Sequence, residues 1–339
     1  MGCNACIVRD LRFEIRAEGD LNIEMLSGVI EHLVRRKTLV KSEGNKFIIK
    51  ESGMMDFIDF SQDHMDFNEV FFRLEDSEWR VLTEVKEILE NQWIDEVISK
   101  GLVTCYAQPI MTADEEIYAY ELLARFLQED GSLIFPGEIF SAAKSRGRLY
   151  ALDRLCRMTG VRYAALLDKK AFINFIPTSI YSPEHCLKST VQLANQLDLD
   201  PNQLVFEVVE TEKVDDINHL KSILAYYKEK GFHYALDDVG EGYSTLELLE
   251  ELKPHYMKLD MKYVQGVAAD IEKQKTAKKS LEQALKMGAV PLAEGIEDRE
   301  DFEWLRDLGY QLFQGYLFGK PAPIEKAGNK DAVEYRSVG

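Results

Sequence analysis

From Leu102 onward the chain alternates short apolar runs with amphipathic helical patterns, and this alternation restricts the possible folds more than any other feature of the sequence. The expected strands are residues 102–110, 116–126, 171–176, 204–209, 233–238, 255–260, 290–295 and 312–318, and the helical patterns between the later ones include 183–197, 215–230 and 261–288. Parallel strands need a long crossover, usually a helix, so strands alternating with helices point to an α/β protein. Eight such strands between residues 102 and 325 suit a (β/α)₈ barrel, which takes about 250 residues. A doubly wound open sheet is the competing architecture, and the site chemistry has to separate the two.

Barrels of this kind build their sites at the C-terminal ends of the strands, and side chains alternate between faces along a strand. Six runs carry a polar residue late and on one face: Ala119, Glu121, Leu123 and Arg125; Phe172, Asn174 and Ile176; Val205, Glu207 and Val209. The others are Tyr256, Lys258 and Asp260; Leu292 and Glu294; Leu312, Gln314 and Tyr316. If those faces point inward, the polar residues converge on the barrel mouth. The run 233–238 ends in Asp237-Asp238 and leads into Gly240 and Gly242, which permit the chain to leave extended geometry so that both carboxylates face one site.

Hard divalent cations such as Mg²⁺ or Mn²⁺ take oxygen ligands, and Glu121, Asn174, Glu207, Asp237, Asp238 and Glu294 supply carboxylates and an amide. Asp237 suits a carboxylate shared by two metals. Taken singly, Asp-Asp before glycine is usually a turn, and a strand-end glutamate is usually a solvated rim residue. Six coincident strand ends of one parity outweigh that bland reading. The histidines (32, 64, 185, 219, 233 and 255) show no metal-ligand spacing, which argues against zinc or iron.

Charge narrows the function further. The 339 residues hold 59 Asp and Glu against 41 Lys and Arg, a net charge of −18, which argues against a coat for nucleic-acid polymers or anionic membranes. A small anionic ligand at a dedicated site remains compatible. The chain has no run of 18 or more apolar residues and no signal-peptide pattern at its start, so the expected location is the cytoplasm, with no membrane segment. Five scattered cysteines form no disulfide framework, and the Cys3/Cys6 pair reads as incidental thiols without a second pair to complete a metal site.

Before residue 101 the texture differs. An alternating run Ile7 to Ile15, an amphipathic helix over 22–36 and a hairpin over 39–49 turning at Glu43, Gly44 and Asn45 describe a small α/β module. An acidic, aromatic stretch follows over 54–75, and the spacing of Trp79, Leu82, Val85, Leu89, Trp93 and Val97 predicts one helix from Ser77 to Lys100, ending at Gly101. The expected division is therefore a regulatory or dimerisation module (1–76), a connecting helix (77–101), the barrel (102–325) and a tail (326–339).

Several stretches, in order, carry a family resemblance: Gln108-Pro109-Ile110, Tyr120 to Arg125, Asn174, Phe206 to Glu210, Asp237 to Ser244, Lys258-Leu259-Asp260, Ala293 to Glu297 and Gln314-Gly315-Tyr316. Residues 102–325 resemble the EAL domain of bacterial cyclic-di-GMP phosphodiesterases. The resemblance implies a modified (β/α)₈ barrel, TIM-like with its first strand antiparallel, and hydrolysis of cyclic-di-GMP to linear pGpG with two Mg²⁺ or Mn²⁺. Glu121, Asn174, Glu207 and Asp237 match metal ligands, and Asp238 and Glu294 match ligands of the second metal. Lys258 matches the lysine that hydrogen-bonds the attacking water, with Glu294 and Glu121 also at the reacting centre. Arg125, Gln314, Gln108 and Leu123 fall at positions that hold the substrate, while Glu210 and Glu297 match carboxylates that brace the loop after Asp238. A homodimer is implied as well.

Two departures from the family pattern stand out. The signature Glu-Ala-Leu reads Glu121-Leu122-Leu123, and residue 122 has outward parity, so the change is expected to affect packing alone. In the loop after Asp238, Val239 stands for the usual Phe and Glu241 for a small residue, which bears on regulation more than on chemistry. The rival reading is a catalytically silent EAL module acting as a cyclic-di-GMP receptor or protein-interaction domain. A barrel phosphodiesterase for another phosphate ester is a third.

Overall fold

The structure, a computed structural model, describes residues 8–74, 77–208, 217–236 and 251–324. The chain forms two compact units, one comprising residues up to Gly101 together with Gly137–Leu152, the other Leu102–Pro136 and everything from Asp153.

The first unit holds five antiparallel strands, β1 (Arg12–Ala17), β2 (Leu39–Glu43), β3 (Lys46–Lys50), β4 (Val70–Arg73) and β5 (Arg80–Val81), in the order β2-β3-β1-β4-β5. With the helices Asp20–Arg35 and Met54–His64 intervening, β1 to β4 follow a split βαβ topology. Period-2 alternation drives the sheet: Phe13, Ile15 and Ala17 are buried while Glu14 and Arg16 lie on the other face. The helices contribute Leu26, Val29, Leu33 and Phe57 to the same apolar core.

Here the expected helix over 77–100 is corrected. Arg80–Val81 instead pairs with β4 as an edge strand, and helix follows only over Val85–Glu90 and Trp93–Lys100. Leu82, Val85 and Ile88 enter the first unit's core, so the apolar spacing that resembles one long helix serves two short ones and a strand. Gly101, at φ +63°, closes the last helix in the left-handed conformation that glycine adopts without strain. The stretch 54–75, left without an expected element, supplies a helix and β4.

The second unit is a closed barrel of eight strands: β6 (Val103–Thr112), β7 (Ile117–Leu127), β9 (Lys170–Phe175), β10 (Leu204–Val208), β11 (His233–Leu236), β12 (Tyr256–Leu259), β13 (Val290–Ala293) and β14 (Leu312–Gln314). Short strands β8 (Leu133–Ile134) and β15 (Ala322–Pro323) attach to β7 and β6. Neighbours from β7 through β14 run parallel, and β6 closes the ring antiparallel to both β7 and β14. This is the modified TIM-like barrel with an antiparallel first strand that the family resemblance implies, and each of the eight expected strands overlaps its apolar run; residues 209, 237 and 238 of those runs lie outside the described residues. Two expected helices are interrupted, 183–197 at Leu187 and 261–288 between Val264 and Ile271.

One apolar layer fills the barrel, with a single residue from each strand: Ile110, Ala119, Phe172, Val205, Ala235, Tyr256, Leu292 and Leu312. The opposite parity packs outward under helices; Leu122, 3% exposed, joins Val161 and Ala164. Residue 122 thus sits in a helix–strand seam, away from the barrel interior.

No helix among the described residues is long and apolar enough to cross a membrane.

Candidate active site

The polar residues singled out by parity stand two positions beyond the apolar layer. On the parallel strands these are Glu121, Asn174, Glu207, Lys258, Glu294 and Gln314, and on antiparallel β6 the equivalent step backward from Ile110 is Gln108. Residue 237 follows Ala235 at the same spacing in the sequence but lies outside the described residues, as do Asp238, Glu210, Val239 and Glu241.

Side-chain hydrogen bonds tie this ring together. Asn174 Nδ2 donates to Glu121 Oε1 at 2.8 Å, and Gln314 Nε2 donates to Glu121 Oε2 at 2.7 Å and to Gln108 Oε1 at 3.1 Å. Gln108 Nε2 in turn donates to the Gly319 carbonyl at 3.1 Å. Both carboxylate oxygens of Glu121 are therefore held by amides from strands on either side. Opposite them, the Lys258 ammonium pairs with both Glu207 and Glu294. Glu207 and Lys258 are 1% and 2% exposed, so each charge owes its tolerance in the interior to the other. Burial raises the Glu294 carboxyl above the usual range, the nearby Lys258 cation works against it, and Glu121 and Asp260 reinforce it.

Glycines shape the mouth. Gly295, at φ +69°, turns the chain directly after Glu294, and at Gly315 a Cβ would meet the Ile296 backbone oxygen at 2.0 Å. The close approach lets Ile296 N–H donate to Gln314 O and Leu317 N–H to Ile296 O, both at 3.0 Å. Tyr316 departs from expectation. The strand ends at Gln314, and the turn carries Tyr316 out to 54% exposure instead of aligning it with Leu312 and Gln314.

Arg125 and Leu123 lie farther along β7, both half-buried. The Arg125 guanidinium sits 5.3 Å from the Tyr106 ring centroid and donates to the Ala124 carbonyl. Glu297 is exposed on the segment after β13, and the loop it is expected to brace is outside the described residues.

Asp153 was missed by strand parity because it belongs to a helix, Leu149–Ala164. Its Oδ1 accepts from Ile176 N–H at 2.9 Å, just past Asn174, while its Oδ2 pairs with the fully buried Arg157, which also donates to Thr190 Oγ1 at 2.9 Å. The available signal was an Asp-Arg pair at i, i+4 on an apolar helix.

The donor chemistry fits a hard divalent cation. Glu207 Oε2 and Gln314 Oε1 are buried and have no hydrogen-bond partner among the described residues, an arrangement that an oxygen-seeking ion or water would satisfy. No group of three or more His, Cys, Asp or Glu side chains poised to hold a metal occurs among the described residues, and positions 237 and 238 are not among them.

A closed barrel with one strand reversed, and a ring of acids, amides and a lysine at its strand ends, defines an α/β barrel with an acidic site. Residues 90–321 match the EAL domain family, and the chain belongs to it. It is 31% identical over 246 residues to the probable cyclic di-GMP phosphodiesterase PdeG of Escherichia coli, covering 70% of this chain and 48% of that one. To the bifunctional diguanylate cyclase/cyclic di-GMP phosphodiesterase MucR of Pseudomonas aeruginosa it is 22% identical, covering 93% of this chain and 44% of the other. The chain thus spans less than half the length of both curated relatives. Among solved structures, a standalone versatile EAL protein from Vibrio cholerae in its c-di-GMP-bound form is 36% identical, with a TM-score of 0.58 and coverage of 65% of this chain and 92% of that one.

Proposed function

We propose that the barrel hydrolyses cyclic-di-GMP to linear pGpG with two Mg²⁺ or Mn²⁺ ions. The observation that carries this reading is the ring at the strand ends, in which Glu121, Asn174, Glu207 and Glu294 offer oxygens while Glu207 keeps a buried oxygen without a partner among the described residues. Asp237 and Asp238 complete the proposed ligand set. Bound there, divalent cations supply Lewis acidity and activation of water.

The chain's own groups do the rest. Gln314 and Asn174 hold the Glu121 carboxylate in one orientation, Lys258 presents an ammonium to orient the attacking water, and Arg125 offers a guanidinium for phosphate. Gln108 and Leu123 complete the substrate side. A relative named as a probable cyclic di-GMP phosphodiesterase, and an EAL structure in its c-di-GMP-bound form, support the choice of substrate.

A second reading, a silent module that binds cyclic-di-GMP or a protein, draws on one observation: Lys258 pairs with both Glu207 and Glu294, so a cation of the chain itself offsets part of the carboxylate charge that a metal would otherwise balance. Incubation of the purified protein with cyclic-di-GMP and Mg²⁺ or Mn²⁺, followed by chromatography, separates the two. The expected product is pGpG, abolished by chelation. Binding without turnover selects the receptor, and turnover of other diesters with cyclic-di-GMP ignored selects a different phosphodiesterase.

A further inference from the structure

The two faces of the first unit's sheet are unlike. One carries the apolar core with its helices, and the other presents polar side chains from β3, β1 and β4. On that outer face Arg12 stands directly opposite Lys50, and Arg16 opposite Lys46. Like charges in directly opposed positions destabilise a sheet. Carboxylates offset part of the charge on this face, Glu18 pairing with Arg16 at 2.9 Å and Glu14 with Arg73 at 2.6 Å. Trp79 lies over the same face, its ring centroid 4.6 Å from the guanidinium carbons of both Arg16 and Arg73 and 5.9 Å from the Lys46 ammonium. Arg16 also lies 5.0 Å from the Phe71 ring. In a chain of net charge −18, this is a concentration of cations around two half-buried aromatic rings.

We propose that this face binds a nucleotide, with its phosphates on Arg16, Lys46 and Arg73 and its base against Trp79. A planar anion answers both features at once: its charge relieves the opposed cations, and its ring stacks where the aromatic and guanidinium planes already lie. The strong negative charge of the remainder disfavours a long polyanion, which would extend beyond the patch. The site is independent of the barrel and of the reaction proposed for it.

The test titrates the full chain with ATP, 5′-GMP and inorganic pyrophosphate, following calorimetry and tryptophan fluorescence. Saturable binding of a nucleotide tighter than about 1 mM is expected, with fluorescence quenched. Lys46→Gln, at an exposed position, and Arg16→Gln should each weaken it about tenfold, whereas Arg16→Lys should retain most of it. Trp79→Leu should lose the preference for nucleotide over pyrophosphate, and Glu121→Ala, in the barrel, should leave affinity unchanged. The proposal is overturned by absence of saturable binding, by pyrophosphate binding as tightly as either nucleotide, or by affinity that falls with Glu121→Ala and ignores Lys46→Gln. Binding of an oligonucleotide alone, or of an acidic peptide alone, overturns it too.

Discussion

Asn174 Nδ2 donates to Glu121 Oε1 at 2.8 Å, although the strand register places Glu121 opposite Phe172, two residues earlier. The bond is diagonal across β7 and β9, and it draws together two residues separated by more than fifty positions of chain. With Gln314 on the other oxygen, the carboxylate is fixed before any ligand arrives.

Replacing that carboxylate should be costly in two separable ways. Glu121→Ala takes the acceptor from the Asn174 amide and leaves Gln314 with its bond to Gln108, at about 1–3 kcal/mol, and should reduce cyclic-di-GMP turnover at least about 100-fold. Denaturant titration measures the first, and chromatography of product the second. Retention of turnover would remove Glu121 from the site.

Lys258 is expected to matter for stability as much as for chemistry. Lys258→Met leaves Glu207 and Glu294 facing each other without their cation, a loss of about 3–5 kcal/mol in metal-free protein. Added Mg²⁺ or Mn²⁺ should restore part of that stability without restoring turnover. A melting temperature indifferent to both the substitution and the cation would contradict this account.

Leu122→Ala restores the residue that the family signature carries, yet it should destabilise. The side chain is buried in the same apolar cluster as Val161 and Ala164, and truncation there costs about 2–5 kcal/mol. Because residue 122 faces away from the barrel interior, KM for cyclic-di-GMP should not move. A changed KM would mean that the outer seam communicates with the site.

Stability should also fall on mild acidification because of a stacked pair, His233 and His255, whose rings lie 4.2 Å apart at the start of β11 and just before β12. Burial, His233, Lys228 and Lys170 push the His255 imidazole down to about 4, and burial and Lys170 lower His233, with Asp200 opposing. The folded state thus holds His255 neutral while the unfolded chain takes up a proton below its ordinary value of 6.5. The unfolded state binds more protons in that window, so stability declines as pH falls from about 6.5 to 4 and this contribution then levels off, a loss of about 1–2 kcal/mol for a partly exposed ring. Urea titrations across pH should show the slope, and His255→Asn should flatten it.

In the first unit, Arg146 is wholly buried and meets Glu51 Oε1 at 2.8 Å, Asp95 Oδ2 at 2.6 Å and the Ile88 carbonyl. Arg146→Met should cost about 3–5 kcal/mol by stranding the Glu51 carboxylate, while Asp95 keeps Arg148 at 2.7 Å. A change below 1 kcal/mol in denaturant titration would show the pair to be solvated.

Much of the barrel, and the layer its candidate site residues share, is legible in the sequence. Glu121, Asn174, Glu207, Lys258, Glu294 and Gln314 could be aligned because strand parity is a local rule, and each stands two residues beyond an apolar neighbour that fills the interior. The same rule misled at Tyr316, where a close approach between Gly315 and Ile296 ends the strand. It was silent on Asp153, whose bond to Ile176 N–H is made by a helix distant in sequence.

The sequence by itself determined which segments become strands, which of their faces are apolar, and which polar residues share a layer, since these follow from a period of two along each run. Only the tertiary structure decided which charges meet. Lys258 between Glu207 and Glu294, and Arg146 between Glu51 and Asp95, join positions far apart in the chain. The interval 77–100 was settled in the same way, because Val81 could serve a helix until pairing with Phe71 on β4 made it an edge strand. Local periodicity leaves such partners open, and burial selects among them by penalising every charge and backbone group that remains unpaired.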